Sequence, residues 1–194
     1  MGTPSRRGPV TTDPKGEVWR RKTGPNNTPA LAIDKFQGDP YNYMDINSYI
    51  TGFTDGEGCF QVSISLRSKM KFGIEIRPSF SVSQHQRSKE IILLLQKHFN
   101  CGGVRYSKKD QNYKYEVRSI KDLIQKIIPH FENYPLLTSK KKDFEVFKEI
   151  CRLVYSNQHK NSDGLKRILE LSANINTYGN KKFNRQGLLK NLAR

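Results

Sequence analysis

Between Tyr49 and Phe60 the chain reads Tyr-Ile-Thr-Gly-Phe-Thr-Asp-Gly-Glu-Gly-Cys-Phe, and two features of this stretch could carry chemistry. The first is the pair Gly52 and Gly56, four residues apart. On a helix that spacing puts both on one face, where the missing side chains let a second helix approach closely. Each glycine weakens the helix by roughly 1 kcal/mol relative to alanine, so a soluble protein needs a contact that offsets the loss. The second feature is Asp55 and Glu57, interleaved with Gly56 and Gly58 at the same end. Carboxylates at a helix C-terminus lie against the unfavourable end of the helix dipole. Acids gathered there in an otherwise basic chain point to metal binding. A glycine-rich turn with solvated acids is the other reading of the same residues.

The elements that must position these groups follow from hydrophobic periodicity. Asn47 or Ser48 can cap a short helix running towards Thr54, followed by a turn at Gly56–Gly58. Strict alternation comes next: Phe60, Val62, Ile64 and Leu66 against Gln61, Ser63, Ser65 and Arg67. A second strand repeats it, with Ile74, Ile76, Phe80 and Val82 against Glu75, Arg77, Ser79, Ser81 and Ser83. Period-two alternation predicts a sheet with one buried and one wet face. Ser88 then caps a helix through about Phe99, and Cys101-Gly-Gly stops it. Strands near Val104–Ser107 and Tyr113–Arg118 form a second hairpin. Ser119 caps a helix that Pro129 brings close to its end. Thr138 or Ser139 opens a longer helix carrying Phe144, Phe147, Ile150, Cys151 and Val154, and a last helix lies near Gly164–Ala173. The order predicts an α+β domain: a four-stranded, mainly antiparallel sheet with helices on one face, spanning residues 45–176. Its other face is left open, polar and basic. Such a face suits the DNA major groove, although many α+β proteins carry a merely solvated one.

Composition narrows the partners. The 194 residues hold 34 Lys and Arg against 18 Asp and Glu, a net charge of +16 that favours polyanions. Residues 1–44 carry six prolines and no sustained apolar period, which predicts a flexible basic arm with Trp19-Arg-Arg-Lys inside it. Residues 177–194 read as a basic tail. No apolar run approaches the ~20 residues of a membrane span, so no membrane partner is expected, and the N-terminus lacks the apolar region of a secretory signal. Cys59, Cys101 and Cys151 are odd in number, far apart and without zinc spacing, as expected of reduced thiols. An intracellular setting follows, whether organelle (mitochondrion or chloroplast) or bacterial cytoplasm.

Ile50-Thr-Gly-Phe-Thr-Asp-Gly-Glu-Gly58 resembles the motif that names the LAGLIDADG homing endonucleases and their maturase relatives. Further likeness lies in Phe80-Ser-Val-Ser-Gln-His85, in His130-Phe-Glu-Asn-Tyr-Pro-Leu-Leu-Thr-Ser-Lys-Lys-Lys-Asp-Phe144 and in His159–Leu171. The resemblance covers about Asn47 to Asn176 and implies the αββαββα fold of that family. It also implies that two motif helices pack through Gly52, Gly56 and Phe53. Glu57, with the Gly56 carbonyl, is implied as the ligand of Mg²⁺ or Mn²⁺. Gln84 is implied at a strand end near the metal, and a lysine before the long helix, Lys140, as the third catalytic group. Lys141 and Lys142 leave that register open, and together with Gln61, Ser63, Arg67, Glu75, Arg77 and Ser79 they complete the expected DNA-binding set. Asp55 is implied to fix the turn through backbone hydrogen bonds. Thr51 stands where the family usually has alanine, and Glu57 where it often has aspartate. Only one motif is present, so the implied enzyme is a homodimer on double-stranded DNA, or half of a split two-motif protein. Intron RNA, bound by a maturase or by a non-cleaving binder on the same scaffold, is the alternative partner.

Overall fold

Asp45 opens the first helix, and its carboxylate accepts from the backbone N–H groups of Asn47 and Ser48. The expected caps Asn47 and Ser48 are thus the donors to a cap one turn earlier. In this structure, a computed structural model, residues 45–175 are described; the predicted arm at 1–44 and tail at 177–194 lie outside the described residues. Helix α1 (Ile46–Glu57) does not stop near Thr54 but runs through Gly56 to the second acid. Strand β1 (Gly58–Leu66) begins at the next residue, so no separate turn intervenes.

Four strands follow the predicted order. β1 pairs antiparallel with β2 (Ile74–His85), β2 with β4 (Asn112–Val117), and β4 with β3 (Gly103–Ser107), giving the spatial order β1-β2-β4-β3. The alternation holds: Phe60, Val62, Ile76, Phe80, Val82, Tyr115 and Val117 are buried on the inner face. Leu66, expected on that face, is 63% exposed because it ends the strand beyond the core. Pro78 sits inside β2, where a missing N–H would normally break a ladder. It is tolerated because β4 pairs only with Phe80 to His85, so the Ile74–Ser79 half of β2 has β1 on one side and an open edge on the other.

Helices cover the inner face. α2 (Lys89–Phe99) packs on β2, β3 and β4; α5 (Lys140–Tyr155) packs on β1 and β2; and α6 (Ser162–Ala173) packs on α5. Between β4 and α5, Ser119 caps a helical stretch as expected, but Pro129 does not end it. A short α3 (Ile120–Asp122) passes into a π-helical segment, Leu123–Ile127, and continues as α4 (Ile128–Asn133). Pro129 stands at the start of α4, and the preceding π segment shifts the hydrogen-bond register just where a proline cannot donate. The core centres on Phe60, whose ring lies 5.2–5.4 Å from those of Phe80, Phe131, Phe144 and Phe147.

The scattered histidines are partly gathered by the fold. His130, 8% exposed, lies beneath α1. Thr51 donates its hydroxyl proton to the Tyr134 carbonyl at 3.2 Å, so its contact with His130 Nε2, also 3.2 Å, uses a ring N–H. His130 Nδ1 is then an acceptor, and His98 Nε2 donates to it at 3.3 Å. With His130 neutral every member of this buried network has a partner, and charging the ring there would carry a desolvation cost. Burial, joined by the neighbouring His98, pushes its pKa down to about 4, with Asp45 opposing weakly; burial lowers His98 as well. The unfolded chain therefore takes up these protons first. Stability present above about pH 6.5 is expected to fall as pH drops towards 4. Thermal unfolding at stepped pH checks this: His130→Gln should melt lower than wild type at pH 7 yet lose less between pH 6.5 and 4.5. An equal loss would show that other groups govern the acid limb.

Candidate active site

Asp55 and Glu57 leave the end of α1 in different directions and meet different fates. Asp55 accepts from the backbone N–H of Leu137 at 2.8 Å and of Thr138 at 3.1 Å, and from the Thr138 hydroxyl at 2.6 Å. Partial burial would raise its carboxyl, but these bonds and the Lys140 charge outweigh it and hold the pKa below the usual range. The expected backbone hydrogen bonds exist, but they fasten the segment before α5 rather than the turn in which Asp55 lies. Glu57 is exposed, and among the described residues its carboxylate accepts no hydrogen bond and forms no ion pair.

The Asp55 clamp sets the start of α5, and with it Lys140. Lys140 Nζ donates to the Thr54 carbonyl at 2.9 Å and to the Gly56 carbonyl at 3.3 Å. Carbonyls in the last turn of a helix are natural acceptors for a cation, and that of Thr54 accepts from the Gly58 N–H as well. Burial lowers the Lys140 pKa, and the nearby charges of Asp55, Cys59, Glu57 and Asp143 counteract part of that. Of the three consecutive lysines, Lys140 is the one whose side chain reaches the motif helix; Lys141 and Lys142 are exposed on the first turn of α5. Gln84 follows from the sheet register. Val82 pairs with Gly58, so Gln84, two residues on, stands beside the Gly56–Glu57 end of α1 and opposite Tyr113 of β4. Glu57, Lys140 and Gln84 thus share one end of the sheet.

Hard oxygen donors such as the Glu57 carboxylate and the Gly56 carbonyl suit a divalent cation like Mg²⁺ or Mn²⁺. Glu57 has both oxygens available, and the Gly56 carbonyl is held only by the longer of the two Lys140 contacts. Among the described residues no group of three or more His, Cys, Asp or Glu side chains is placed to hold a metal ion.

The outer surface of α1 is a stripe formed by Tyr49, Gly52, Phe53 and Gly56, spaced as neighbours on one helical face. Tyr49 stacks on Phe53 with ring centroids 6.3 Å apart, a partner that sequence reading missed. Among the described residues, a Cβ placed on Gly52 or Gly56 would meet nothing within 4 Å, so none of them sterically requires either glycine. Thr51, by contrast, points inward to Tyr134 and His130, so its extra bulk lies away from this stripe.

On the polar sheet face Gln61, Ser63, Arg67 and Arg77 are exposed as expected. Ser79 is not: at 7% exposure its short side chain lies on the middle of β2 directly opposite the longer Gln61, which leaves it without reach. Glu75 is engaged by Arg67 at 2.6 Å and Arg77 at 2.8 Å. Arg105, Lys114 and Arg118, grouped around Glu116, extend the basic face onto β3 and β4. Lys114 and Arg118 were legible as the polar half of the alternation Tyr113–Arg118, and Arg105 lies in the strand predicted near Val104–Ser107, but no motif singled them out. Cys59 lies near Lys114 and Lys140, yet burial raises its thiol, and Cys59, Cys101 and Cys151 are all free.

The antiparallel sheet, the motif helix and the acid at its end define the class. A sequence model described as LAGLIDADG endonuclease matches residues 50–151, and the chain belongs to that family. A probable intron-encoded endonuclease 2 of Neurospora crassa is 37% identical over 130 residues, which are 66% of this chain and 29% of the relative. The homing endonuclease I-TnaI superposes with a TM-score of 0.66 at 34% identity, over 77% of this chain and 98% of that one. I-SmaMI, solved bound to uncleaved target DNA with calcium ions, superposes with a TM-score of 0.69 at 29% identity, over 74% of this chain and 48% of that one. The chain thus spans under a third of the first relative's length but nearly all of I-TnaI.

Proposed function

We propose that this chain is a site-specific homing endonuclease that dimerises through α1 and cuts both strands of duplex DNA at an intron-insertion site. The observation that carries the reading is the stripe Tyr49–Gly52–Phe53–Gly56, exposed at Tyr49, Gly52 and Gly56 and half-buried at Phe53, which ends at an unpaired Glu57. Two copies packed along that stripe bring two Glu57 side chains together at the base of the interface, one for each strand. A two-fold dimer of this kind has an isologous interface and favours a near-palindromic target. I-TnaI, matched over 98% of its chain, supports a single copy of this unit as a whole protein; I-SmaMI, matched over 48%, holds about twice as much chain.

Glu57 and the Gly56 carbonyl would hold Mg²⁺ or Mn²⁺, which supplies Lewis-acid charge at the scissile phosphate. Lys140 places a cation beside that phosphate, and Gln84 orients solvent at the same end. Arg67, Arg77, Arg105, Lys114 and Arg118 lie along the duplex. The test is linearisation of a supercoiled plasmid that carries the uninterrupted insertion site, with Mg²⁺. A relative named as intron-encoded directs the search for that site to the sequences flanking the gene.

Salt dependence checks the polar face separately. Each phosphate neutralised steepens the plot of log affinity against log salt by about 0.9. Affinity is therefore expected to collapse between low and moderate salt. A flat plot would remove this face as the duplex surface.

A further inference from the structure

The polar face of a strongly basic protein would be expected to exclude acids, yet two lie on it, Glu75 near the β1–β2 hairpin end and Glu116 on the inner strand β4. Glu75 on β2 is bonded through Oε1 to Arg67 at 2.6 Å and through Oε2 to Arg77 at 2.8 Å, and it accepts from the Ser65 hydroxyl at 3.3 Å. Glu116 on β4 repeats the arrangement. Its Oε1 meets Lys114 at 3.0 Å, and its Oε2 meets Arg118 at 2.8 Å and Arg105 at 3.4 Å. In both clusters the carboxylate is sunk, 13% and 11% exposed, while the four arginines remain 54–58% exposed.

Two physical arguments bear on what these clusters do. Exposed ion pairs add little stability, about 0–1 kcal/mol each, so stability does not account for them. Negative charge facing a duplex also weakens its binding. What the geometry does provide is direction. A carboxylate has few acceptor sites, and here both oxygens of each are occupied by neighbours on the same face. A guanidinium has five N–H donors and keeps most of them free. An arginine already held in place loses less side-chain entropy when it meets a base or phosphate.

We propose that Glu75 and Glu116 are positioning residues: they do not read bases, but fix the directions of Arg67, Arg77, Arg105, Lys114 and Arg118, so that sequence preference rises while general affinity for DNA is held down. The proposal rests on the DNA-cleaving reading above and replaces the base-reading role expected for Glu75. Both carboxyls are held below the usual range, since their cation partners and hydrogen bonds outweigh the opposing effect of burial. They are therefore ionised wherever the enzyme would work.

The experiment uses the full chain, without divalent metal so that nothing is cut, and a duplex library of randomised sequence. Selected sequences are read, and affinity for unselected random duplex is measured in parallel. Glu116→Gln is expected to bind random duplex about three- to tenfold tighter, because one repulsive charge per copy is gone, and to lose preference at several adjacent base pairs together. Glu116→Asp keeps the charge but shortens the reach; its random-duplex affinity should stay at the wild-type level while the same preferences fade. Glu75→Gln repeats the test independently in the β1–β2 hairpin, and thermal unfolding within a few degrees of wild type verifies each fold. Loss of preference at one base pair alone, with no gain on random duplex, would mean that the carboxylate reads a base. That result, or unchanged selectivity in both Gln variants, overturns the proposal. A wild-type chain that enriches no sequence removes the DNA-reading premise itself.

Discussion

Glu57→Gln is expected to lower plasmid linearisation by at least about 10³-fold, equivalent to about 4 kcal/mol of barrier. The amide keeps the size of the side chain but removes the charge that a divalent cation needs. Glu57 is exposed and makes no hydrogen bond or ion pair among the described residues, so the melting temperature should not move. Duplex binding measured without metal should hold or improve, because a negative charge beside the phosphates is gone. This combination separates a lost metal ligand from a damaged fold. Each copy supplies one such acid, so a mixed dimer with one Glu57→Gln subunit should nick one strand and leave the other intact. Linearisation by the variant at the wild-type rate would remove Glu57, and with it the metal site at the end of α1.

The second large effect concerns assembly. Gly52→Leu adds a side chain at a position where a Cβ meets no atom of the described residues within 4 Å. Within one subunit the change should be neutral or stabilising, since glycine costs the helix roughly 1 kcal/mol relative to better formers. Against a second α1 it would collide at the closest approach. The variant is therefore expected to stay folded, to run at the single-chain mass of 22.4 kDa where wild type runs at twice that, and to lose cleavage along with dimerisation. Light scattering and thermal unfolding on the same samples check both halves. A variant that remains dimeric, or a wild type that is monomeric at working concentration, would place the assembly surface elsewhere. A variant that unfolds would mean that Gly52 is needed inside its own subunit.

The parts of this architecture visible in the residues were those governed by short-range periodicity. Alternation from Phe60 to Leu66 and from Ile74 to Val82 separates the two sheet faces without any tertiary information. The glycine spacing marks the open helix face in the same way. What escaped depends on partners distant in sequence. The role of Asp55 lies in its bonds to Leu137 and Thr138, more than 80 residues away. That Lys140, among the three consecutive lysines, reaches the Thr54 and Gly56 carbonyls depends on how the start of α5 is set. Pro129 was expected close to the end of its helix, which stops at Asn133, but the π segment that precedes it has no sequence signal of its own. Ser79 looked available because alternation reports direction but not depth. The ion pairs of Glu75 with Arg67 and Arg77 were likewise not legible, because the side chains meet only once the hairpin is formed.

Because β4 stops at Phe80, the outer half of the β1–β2 hairpin is a ribbon two strands wide, while the half nearest Glu57 is braced by four. A narrow ribbon bends and twists under far smaller loads than a braced slab. The hairpin therefore has a stiff root near Glu57 and a compliant tip away from it. On the proposed reading, a duplex of imperfect shape would be followed at the periphery without the strain reaching the Glu57 carboxylate and the Lys140 ammonium.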